Sequence, residues 1–208
     1  MSERTAAGHL FVVSAPSGAG KTSLVRALVA RTGRIGVSVS HTTRSRREGE
    51  TNGVDYHFVD AAEFARMAAA GEFLEHATVF DHAYGTSRSA VAGALEQGID
   101  VILEIDWQGA RSIRAAAPDA ISIFVLPPSV EELERRLRGR GDAESVIARR
   151  MRDAVREISH YGEYDYLVVN DDFEGALAAL TAIVGAARLR RGVQELRHAG
   201  LLAALVAP

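Results

Sequence analysis

The sequence of 208 residues contains no cysteine. This absence excludes a disulfide framework and metal sites built from thiolates, and it is typical of a reducing compartment, so we expect a cytoplasmic protein. Long hydrophobic runs are also missing. The longest late run, LLAALVA, is too short to cross a bilayer, and the N-terminus has no apolar core of signal-peptide length. We therefore expect a soluble protein without a membrane partner.

Low-complexity tracts, internal repeats and a strong excess of one charge are absent as well. With 47% hydrophobic and 25% charged residues, the composition is ordinary for a globular protein, and the length suits one α/β domain with inserted lobes. The net charge of −3 gives no general attraction to nucleic acid, which we do not expect as a partner. Arginines nevertheless cluster in RSRR, ERRLRGRG and ARRMR, and such local clusters suit a small polyanion.

A phosphate-binding loop is indicated by SAPSGAGKTS, residues 14–23, which follows the apolar run HLFVV and precedes the helical pattern LVRALVA. Gly18 and Gly20 allow the backbone to wrap closely around an anion, and the start of the helix adds positive charge. Lys21 would reach the β- and γ-phosphates of a nucleotide, and the Thr22 hydroxyl would bind magnesium. Ala15 stands where the pattern has its first glycine.

Strand-like runs alternate with helical segments along the chain. Five strands are predicted at residues 10–14, 35–40, 101–106, 121–126 and 167–170. This alternation predicts an α/β fold of the P-loop NTPase type, a doubly wound and mostly parallel sheet with ligands at the carboxyl ends of its strands. The predicted phosphate loop follows such an end.

Caps and apolar stripes predict three helices in the second half of the chain. The first opens at Ser129, whose spacing to Glu132 matches a capping box, and should end at Gly139. The second begins near residue 142, and the third begins near Phe173. The stripes are interpreted as core and consist of Leu133 and Leu137; Ile147, Met151, Val155 and Ile158; and Leu177, Leu180 and Val184.

The pattern changes between residues 37 and 90. A short strand is predicted at residues 56–59 and an alanine-rich helix at residues 61–70, ended by Gly71. We interpret this region as an inserted lobe. The arginine-rich stretch at residues 137–150, interrupted by GRGD, is predicted to be a mobile lid.

The predicted lobe carries residues suited to a nucleoside monophosphate. Arg44, Arg47, Tyr56 and Tyr84 offer guanidinium and phenol donors for one dianionic phosphate. Three further residues could read a base nearby, namely Ser40, Glu75 and Thr86. A carboxylate only accepts hydrogen bonds, so Glu75 suits the adjacent N–H and NH₂ donors of guanine and not the ring acceptor of adenine. Its simplest alternative is a surface glutamate at a helix end.

Seven motifs in order, spread over nearly the whole chain, together resemble the guanylate kinase family of bacterial type. They are SAPSGAGKTSL, SHTTRxRRxGExxGxDYxF, GEFLEHATVF, YGTSR, EIDWQGA, LRGRG followed by ARRM, and EYDYLVVNDDF. The resemblance implies an enzyme that transfers a phosphoryl group from ATP to GMP, giving ADP and GDP. It also implies one domain over residues 1–208, with a core of 8–36, 91–128 and 157–208, a GMP-binding lobe at 37–90 and a lid at 129–156.

The resemblance also implies roles for individual residues. The GMP side is Ser40, Arg44, Arg47, Tyr56, Glu75, Tyr84, Thr86 and Asp106. The ATP side is Ala15, Pro16, Ser17, Gly18, Ala19, Gly20, Lys21, Thr22 and Ser23, with Asn170 near adenine. The catalytic set is Lys21, Arg44, Arg140 and Arg150.

A cation should accompany ATP. The expected ion is Mg²⁺, held by Thr22 and, through water, by Asp106; K⁺ is a further candidate. Thr86 stands where many members of the family have serine, which keeps the hydroxyl. Glu104 stands where related bacterial sequences often have aspartate, so a metal-water role for it stays open.

Several alternatives remain at this level. DWQG, residues 106–109, matches the Asp-x-x-Gly of GTPases, although the sequence has no Asn-Lys-x-Asp motif. A kinase for another nucleotide and a catalytically silent binding module are the other two. Asp106 could be only a strand-end cap, and Arg138 or Arg149 could replace either lid arginine. The C-terminal tail is expected to pack on its own core, and the sequence leaves a monomer and a homo-oligomer open.

Overall fold

The computed structural model of the protein describes residues 6–79, 81–139 and 143–207. Its strands are β1 (Leu10–Ser14), β2 (Ile35–Val37), β3 (His41–Thr42), β4 (His57–Phe58), β5 (Phe73–Val79), β6 (His82–Ser87), β7 (Asp100–Glu104), β8 (Ile121–Leu126) and β9 (Tyr166–Val169). Its helices are α1 (Lys21–Arg31), α2 (Ala61–Ala69), α3 (Arg88–Glu96), α4 (Trp107–Ala116), α5 (Val130–Arg138), α6 (Glu144–Ile158), α7 (Phe173–Arg188), α8 (Arg191–Arg197) and α9 (Ala199–Leu205).

Five strands form a wholly parallel sheet in the order β2-β7-β1-β8-β9. Apolar side chains cover both of its faces. On one face α1 and α7 pack on the sheet, and on the other face α3 and α4 do so. The predicted doubly wound α/β fold is therefore confirmed. Because Val13 of β1 lies opposite Glu104 of β7, the loop after β1 begins beside the end of β7.

A second sheet of four strands, in the order β4-β3-β6-β5, lies within residues 41–87. It mixes one parallel pair with two antiparallel pairs, and α2 packs on it through Phe64, Met67 and Phe73. The β5–β6 hairpin was not predicted as a pair of strands. Its alternating pattern is obscured because the inward position after Phe73 is taken by the charged residue Glu75.

Helices α5 and α6 pack on each other through a separate apolar cluster. The Ser129 hydroxyl accepts the N–H of Glu132, as the capping-box spacing predicts, and α5 ends before Gly139. One member of the predicted α6 stripe is wrong. Val155 is 61% exposed, whereas Ala154 is buried, because the helical period of 3.6 residues continues the stripe by three positions after Met151.

Helix α9 of the C-terminal tail does not pack on the core as expected, whereas Val193 and Gln194 of α8 are half-buried. Every residue of α9 is exposed, including Leu201, Leu202 and Leu205, whereas α7 buries its predicted stripe. The apolar run of α9 is not interrupted by polar residues at helical spacing, so its sequence does not indicate which face of the helix would pack inward. No helix within the described ranges combines the length and apolar character needed to cross a membrane.

Candidate functional site

One cavity of about 420 Å³ opens between the carboxyl ends of β1 and β7 and the second sheet. Most of the predicted site residues line it, namely Ala15, Pro16, Ser17, Gly18, Gly20, Lys21, Thr22 and Ser23 from the phosphate loop, Ser40, Tyr56, Glu75 and Tyr84 from the lobe, and Asp106. Glu104 and Glu157 line it as well. The two groups that the sequence predicted separately thus face one space.

The phosphate loop owes its shape to two glycines and a buried asparagine. Gly18 and Gly20 have φ angles of 96° and 92°, a backbone conformation that disfavours residues with a Cβ. A Cβ on Gly20 would also lie 2.4 Å from the side-chain nitrogen of Asn170. That nitrogen donates to the carbonyl oxygen of Ala19 at 2.7 Å, so Asn170 holds the loop from behind. Neither Asn170 nor Ala19 is among the described residues that line the cavity.

Lys21 begins α1 at the cavity surface, where it is surrounded by carboxylates. Burial lowers the pKa of its ammonium, while Glu104, Glu157 and Asp106 act in the opposite direction. Burial is the larger effect, so the site favours the neutral amine more than bulk water does. A phosphate group in the cavity would favour the charged ammonium.

The pKa of Lys21 gives a direct test of this environment, because Lys21 is the only lysine in the chain. We expect a value below the ordinary 10.5, so the ammonium loses its proton at lower pH than an exposed lysine does. After reductive ¹³C-methylation, the single lysine resonance can be titrated by NMR, with the chemically unfolded chain as the control. A folded-state pKa at or above the unfolded value would contradict the expected desolvation.

Oxygen atoms gather beside Lys21 where a cation is expected. The Thr22 hydroxyl donates to a Glu104 carboxylate oxygen at 3.1 Å, and Asp106 follows two residues later. Hydroxyl and carboxylate oxygens are hard donors that fit Mg²⁺. Within the described part of the chain no three His, Asp or Glu side chains are grouped to hold a metal ion by themselves. A cation here would therefore take further ligands from a bound nucleotide.

Asp106 has a structural role besides facing the cavity. Its Oδ1 accepts the N–H of Gly109 at 2.9 Å, which caps the start of α4. A Cβ on Gly109 would lie 2.9 Å from the Glu75 Oε2 atom and 3.2 Å from Ile105. The Asp-x-x-Gly spacing is therefore accounted for by a helix cap and by the close approach of Glu75, without a γ-phosphate sensor.

Arg44 lies at the lobe end of the cavity, although it is not one of the lining residues. Its guanidinium forms two hydrogen bonds with Glu50, at 2.7 and 3.1 Å, and lies over the ring of Tyr56 at 5.3 Å. Hydrogen bonding to Glu50 raises the pKa of Arg44, and Tyr84 contributes in the same direction. The arginine is thus held beside two phenols that do face the cavity.

Arg47 contributes its backbone to the same arrangement. Its N–H donates to Glu50 at 2.8 Å, while its side chain is exposed. Glu50 was not among the predicted site residues. The signal in the sequence that could have indicated Glu50 as a site residue is its position two residues before the Asn-Gly turn of the arginine motif.

Glu75 is buried in the wall of the same cavity. The Thr86 hydroxyl donates to its Oε1 at 2.6 Å. Burial raises the pKa of Glu75 from the ordinary 4.5 to about 6, with the nearby Asp106 adding to the rise and the Thr86 hydrogen bond opposing it. Only 6% of Glu75 is exposed, which excludes the alternative of a surface glutamate at a helix end.

Of the two predicted lid arginines, Arg150 is among the described residues. Arg140 lies outside the described residues. Arg150 lies on α6, next to Arg149, and neither is among the residues that line the cavity. Helix α5 nevertheless touches the phosphate loop, because a Cβ on Gly18 would lie 3.0 Å from Leu133 and 3.1 Å from Leu137 of α5.

Glu157 is the second residue that sequence reasoning missed. It lies in the last turn of α6 and lines the cavity. The sequence does not single it out, because its neighbours Val155 and Ile158 are interpreted as a core stripe. A charged residue beside that stripe was the only available signal.

Comparison with known proteins assigns this site to a family. The sequence model of the guanylate kinase family matches residues 7–187. Among curated proteins, the guanylate kinase of Chromohalobacter salexigens is 60% identical over 96% of this chain and 93% of its own length. The guanylate kinase of Alkalilimnicola ehrlichii is 62% identical over 90% of this chain and 93% of its own length.

A solved structure agrees with the sequence matches. The crystal structure of guanylate kinase from Anaplasma phagocytophilum is similar to this chain with a TM-score of 0.77 and 37% sequence identity. The alignment covers 93% of this chain and 95% of the other. The similarity extends over both the parallel sheet and the inserted lobe.

Proposed function

The chain belongs to the guanylate kinase family, and we infer that it transfers the γ-phosphoryl group of ATP to GMP, giving ADP and GDP. The enzyme is a nucleoside monophosphate kinase. Its substrates are the two small nucleotides, and the cytoplasm is the proposed compartment. Nucleic acid and membranes are not proposed as partners.

A single observation carries the assignment of the two nucleotides to this cavity. The phosphate loop with Lys21 and the donors of Ser40, Tyr56 and Tyr84 line the same cavity. Both anion-binding groups therefore face the same space of about 420 Å³, which supports the binding of two phosphate groups in it. This arrangement supports direct transfer between two bound nucleotides without a covalent enzyme intermediate.

The chemistry needs positioning and charge neutralisation more than proton transfer. An oxygen of the GMP phosphate attacks the γ-phosphorus of ATP, and the bond from that phosphorus to the β,γ-bridging oxygen breaks. The attacking group is already an anion, so no strong general base is required. We assign to Lys21 the neutralisation of charge on the transferred group, with Arg150 and Arg140 of the lid as further candidates.

Arg44 is proposed to align the attacking phosphate. Its pair with Glu50 and its position over Tyr56 leave the guanidinium few alternative orientations. Arg47, Tyr56 and Tyr84 would complete the set of donors. Mg²⁺, if held by Thr22, Glu104 and water on Asp106, would neutralise negative charge on the triphosphate. K⁺ remains only a candidate from the family resemblance.

Guanine selection is assigned to Glu75, with Thr86 and Ser40 beside it. The Thr86 hydroxyl already donates to one carboxylate oxygen, which orients the carboxylate. Guanine would offer its ring N–H and NH₂ to the remaining acceptor positions. Adenine would turn a ring acceptor toward the same carboxylate, leaving both without a donor.

Coupled assays of ADP release test the function. ATP is supplied with GMP, AMP, UMP and CMP in turn, and GMP binding is measured separately by calorimetry. We expect efficient ADP release when ATP is combined with GMP, and not when it is combined with the other three monophosphates. Release with AMP or UMP but not with GMP would contradict the guanine assignment. GMP binding without any ADP would indicate a silent binding module. In a parallel assay with GTP as the only nucleotide, hydrolysis of GTP would indicate a GTPase.

Replacement of Arg44 by alanine is expected to raise the KM for GMP by roughly 10- to 100-fold. Each charge-assisted hydrogen bond to the phosphate contributes about 1.5–3 kcal/mol, and about 1.4 kcal/mol corresponds to a factor of ten. Steady-state kinetics with saturating ATP measure the change. Arg66→Ala is the matched control, because Arg66 also pairs with two lobe glutamates but lies at the surface. Equal KM values in the two variants would remove Arg44 from the GMP site.

A further inference from the structure

Glu50 is the common hydrogen-bond acceptor of the loop that follows β3. Its Oε1 atom accepts from Nη2 of Arg44 at 2.7 Å, and its Oε2 atom accepts from Nη1 of Arg44 at 3.1 Å and from the backbone N–H of Arg47 at 2.8 Å. The N–H of Glu50 in turn donates to the carbonyl oxygen of Arg47 at 3.2 Å, and Gly49 closes this turn with a φ angle of 84°. One carboxylate therefore ties the side chain of Arg44 to the backbone at Arg47.

The hydrogen bonds that Arg44 makes to Glu50 and Ser45 leave one edge of its guanidinium available. A guanidinium carries five N–H groups in a fixed plane. Glu50 accepts one from each Nη atom, and the carbonyl oxygen of Ser45 accepts from Nη1 at 2.8 Å. After these three bonds the Nε–H and the second Nη2–H remain, and both point outward from the same edge of the plane. Such an edge can hold two oxygens of one phosphate group, because pairs of arginine and phosphate are frequently bidentate.

The pair of Arg44 and Glu50 is enclosed by the lobe. Only 10% of the Arg44 side chain and 20% of the Glu50 side chain are exposed, and the guanidinium lies over the rings of Tyr56 at 5.3 Å and Phe58 at 5.7 Å. Hydrogen bonding to Arg44 lowers the pKa of Glu50, so the carboxylate is charged at neutral pH. Arg44 is thus ordered before a ligand binds, and the binding of a phosphate does not have to order it.

We propose that Glu50 is a positioning residue for the phosphate group of GMP and that it acts through Arg44. In this role Glu50 does not contact the substrate. It holds the end of the guanidinium, so that the edge with Nε meets the phosphate beside the cavity-lining ring of Tyr56. The opposite role would be that of a competitor, because a carboxylate paired with Arg44 also offsets positive charge that would attract the phosphate. The inference rests on the proposed function for the identity of this phosphate as that of GMP.

Calorimetric titration of GMP into the wild-type chain and into Glu50→Gln distinguishes the two roles. Glutamine keeps the shape, and its oxygen can still accept the N–H of Arg47, but its amide places a donor against the guanidinium. We expect Glu50→Gln to bind GMP about tenfold more weakly and ATP with unchanged affinity. Glu48→Gln is the matched control, because it removes the same charge from an exposed position of the same loop and should bind GMP like the wild type.

A double-mutant cycle shows whether Glu50 acts through Arg44. In the Arg44→Ala background, adding Glu50→Gln should change the affinity for GMP by less than about twofold, because the group that Glu50 positions is no longer present. A further loss of about tenfold in that background would contradict the proposal and would assign Glu50 a role in the loop itself.

ATP binding by the same samples shows whether each variant is folded. If Glu50→Gln is not, Glu50→Asp replaces it, since the shorter side chain cannot reach Arg47 and both Nη atoms of Arg44 together, and it too should weaken GMP binding only when Arg44 is present. Equal or tighter GMP binding by these variants would overturn the positioning role, whether or not the wild type releases ADP. A chain that shows the expected pattern with GMP but releases no ADP would refute the proposed function and leave the role of Glu50 standing.

Discussion

Lys21→Met is expected to lower kcat for phosphoryl transfer by about 100- to 1,000-fold or more, while GMP binds with nearly its original affinity. The loss is of the size found when one donor to a developing negative charge is removed from an active site. Methionine keeps an unbranched side chain of similar length, so the packing at the start of α1 is retained. Because Lys21 is the only lysine in the chain, no neighbouring ammonium can substitute for it.

Single-turnover kinetics and calorimetric GMP titration measure the two parts of this prediction. The variant leaves Glu104, Glu157 and Asp106 without the nearby cation, so thermal unfolding is followed as a control for lost stability. Lys21→Arg tests whether charge alone is sufficient. A kcat within about tenfold of the wild type for Lys21→Met, in a folded protein, would show that the loop amides and the lid carry the chemistry without the lysine.

Glu75→Gln is expected to reduce kcat/KM for GMP by about 100- to 1,000-fold and to bring the rates with GMP and AMP much closer together. A glutamine presents one acceptor and one donor where guanine needs two acceptors, so a donor faces a donor in a buried position. Competition kinetics with both monophosphates measure the preference. Glu72→Gln is the control, because Glu72 pairs with Arg66 on the surface of the same lobe. An unchanged preference would exclude Glu75 from base recognition.

The same residue gives the GMP affinity a pH dependence. Burial raises the pKa of Glu75 to about 6, so the carboxylate that accepts from guanine is replaced by its protonated form as the pH falls through 6. The KM for GMP should therefore rise below about pH 6. The GMP phosphate ionises in the same way in assays of the wild type and of Glu75→Gln. The difference between their two pH profiles of KM therefore reports the ionisation of Glu75 itself. Parallel profiles would contradict a titrating carboxylate at the base.

Local patterns in the sequence predict much of the parallel core. The strands around residues 10–14 and 121–126 are confirmed residue by residue, since each is a buried apolar run with a sharp end. The capping box at Ser129 and the stripe of α7 are confirmed for the same reason. Each of these signals is contained within a few consecutive residues and follows one backbone period.

Predictions from the sequence fail where one residue has two roles, or where the residue that it contacts is distant in the chain. Glu75 takes an inward position on β5, which interrupts the alternating pattern of apolar residues from which the hairpin would be predicted. Gly109 is required by the carboxylate of Glu75, which is 34 positions away, and Asn170 holds the loop at Ala19 across 151 positions. Glu157 of α6 lines the same cavity as Ser17, although the two residues are far apart in the chain.

The sequence by itself determined the kinds of groups that this protein uses, because a glycine-rich turn before a helix and a run of arginine forks bind anions through local geometry. It also determined the family, because the motifs keep their order over nearly the whole chain. Only the tertiary structure decided which of those groups line one cavity and which of them are buried. Burial depends on distances across the fold, and it is burial that raises the pKa of Glu75 and lowers the pKa of Lys21.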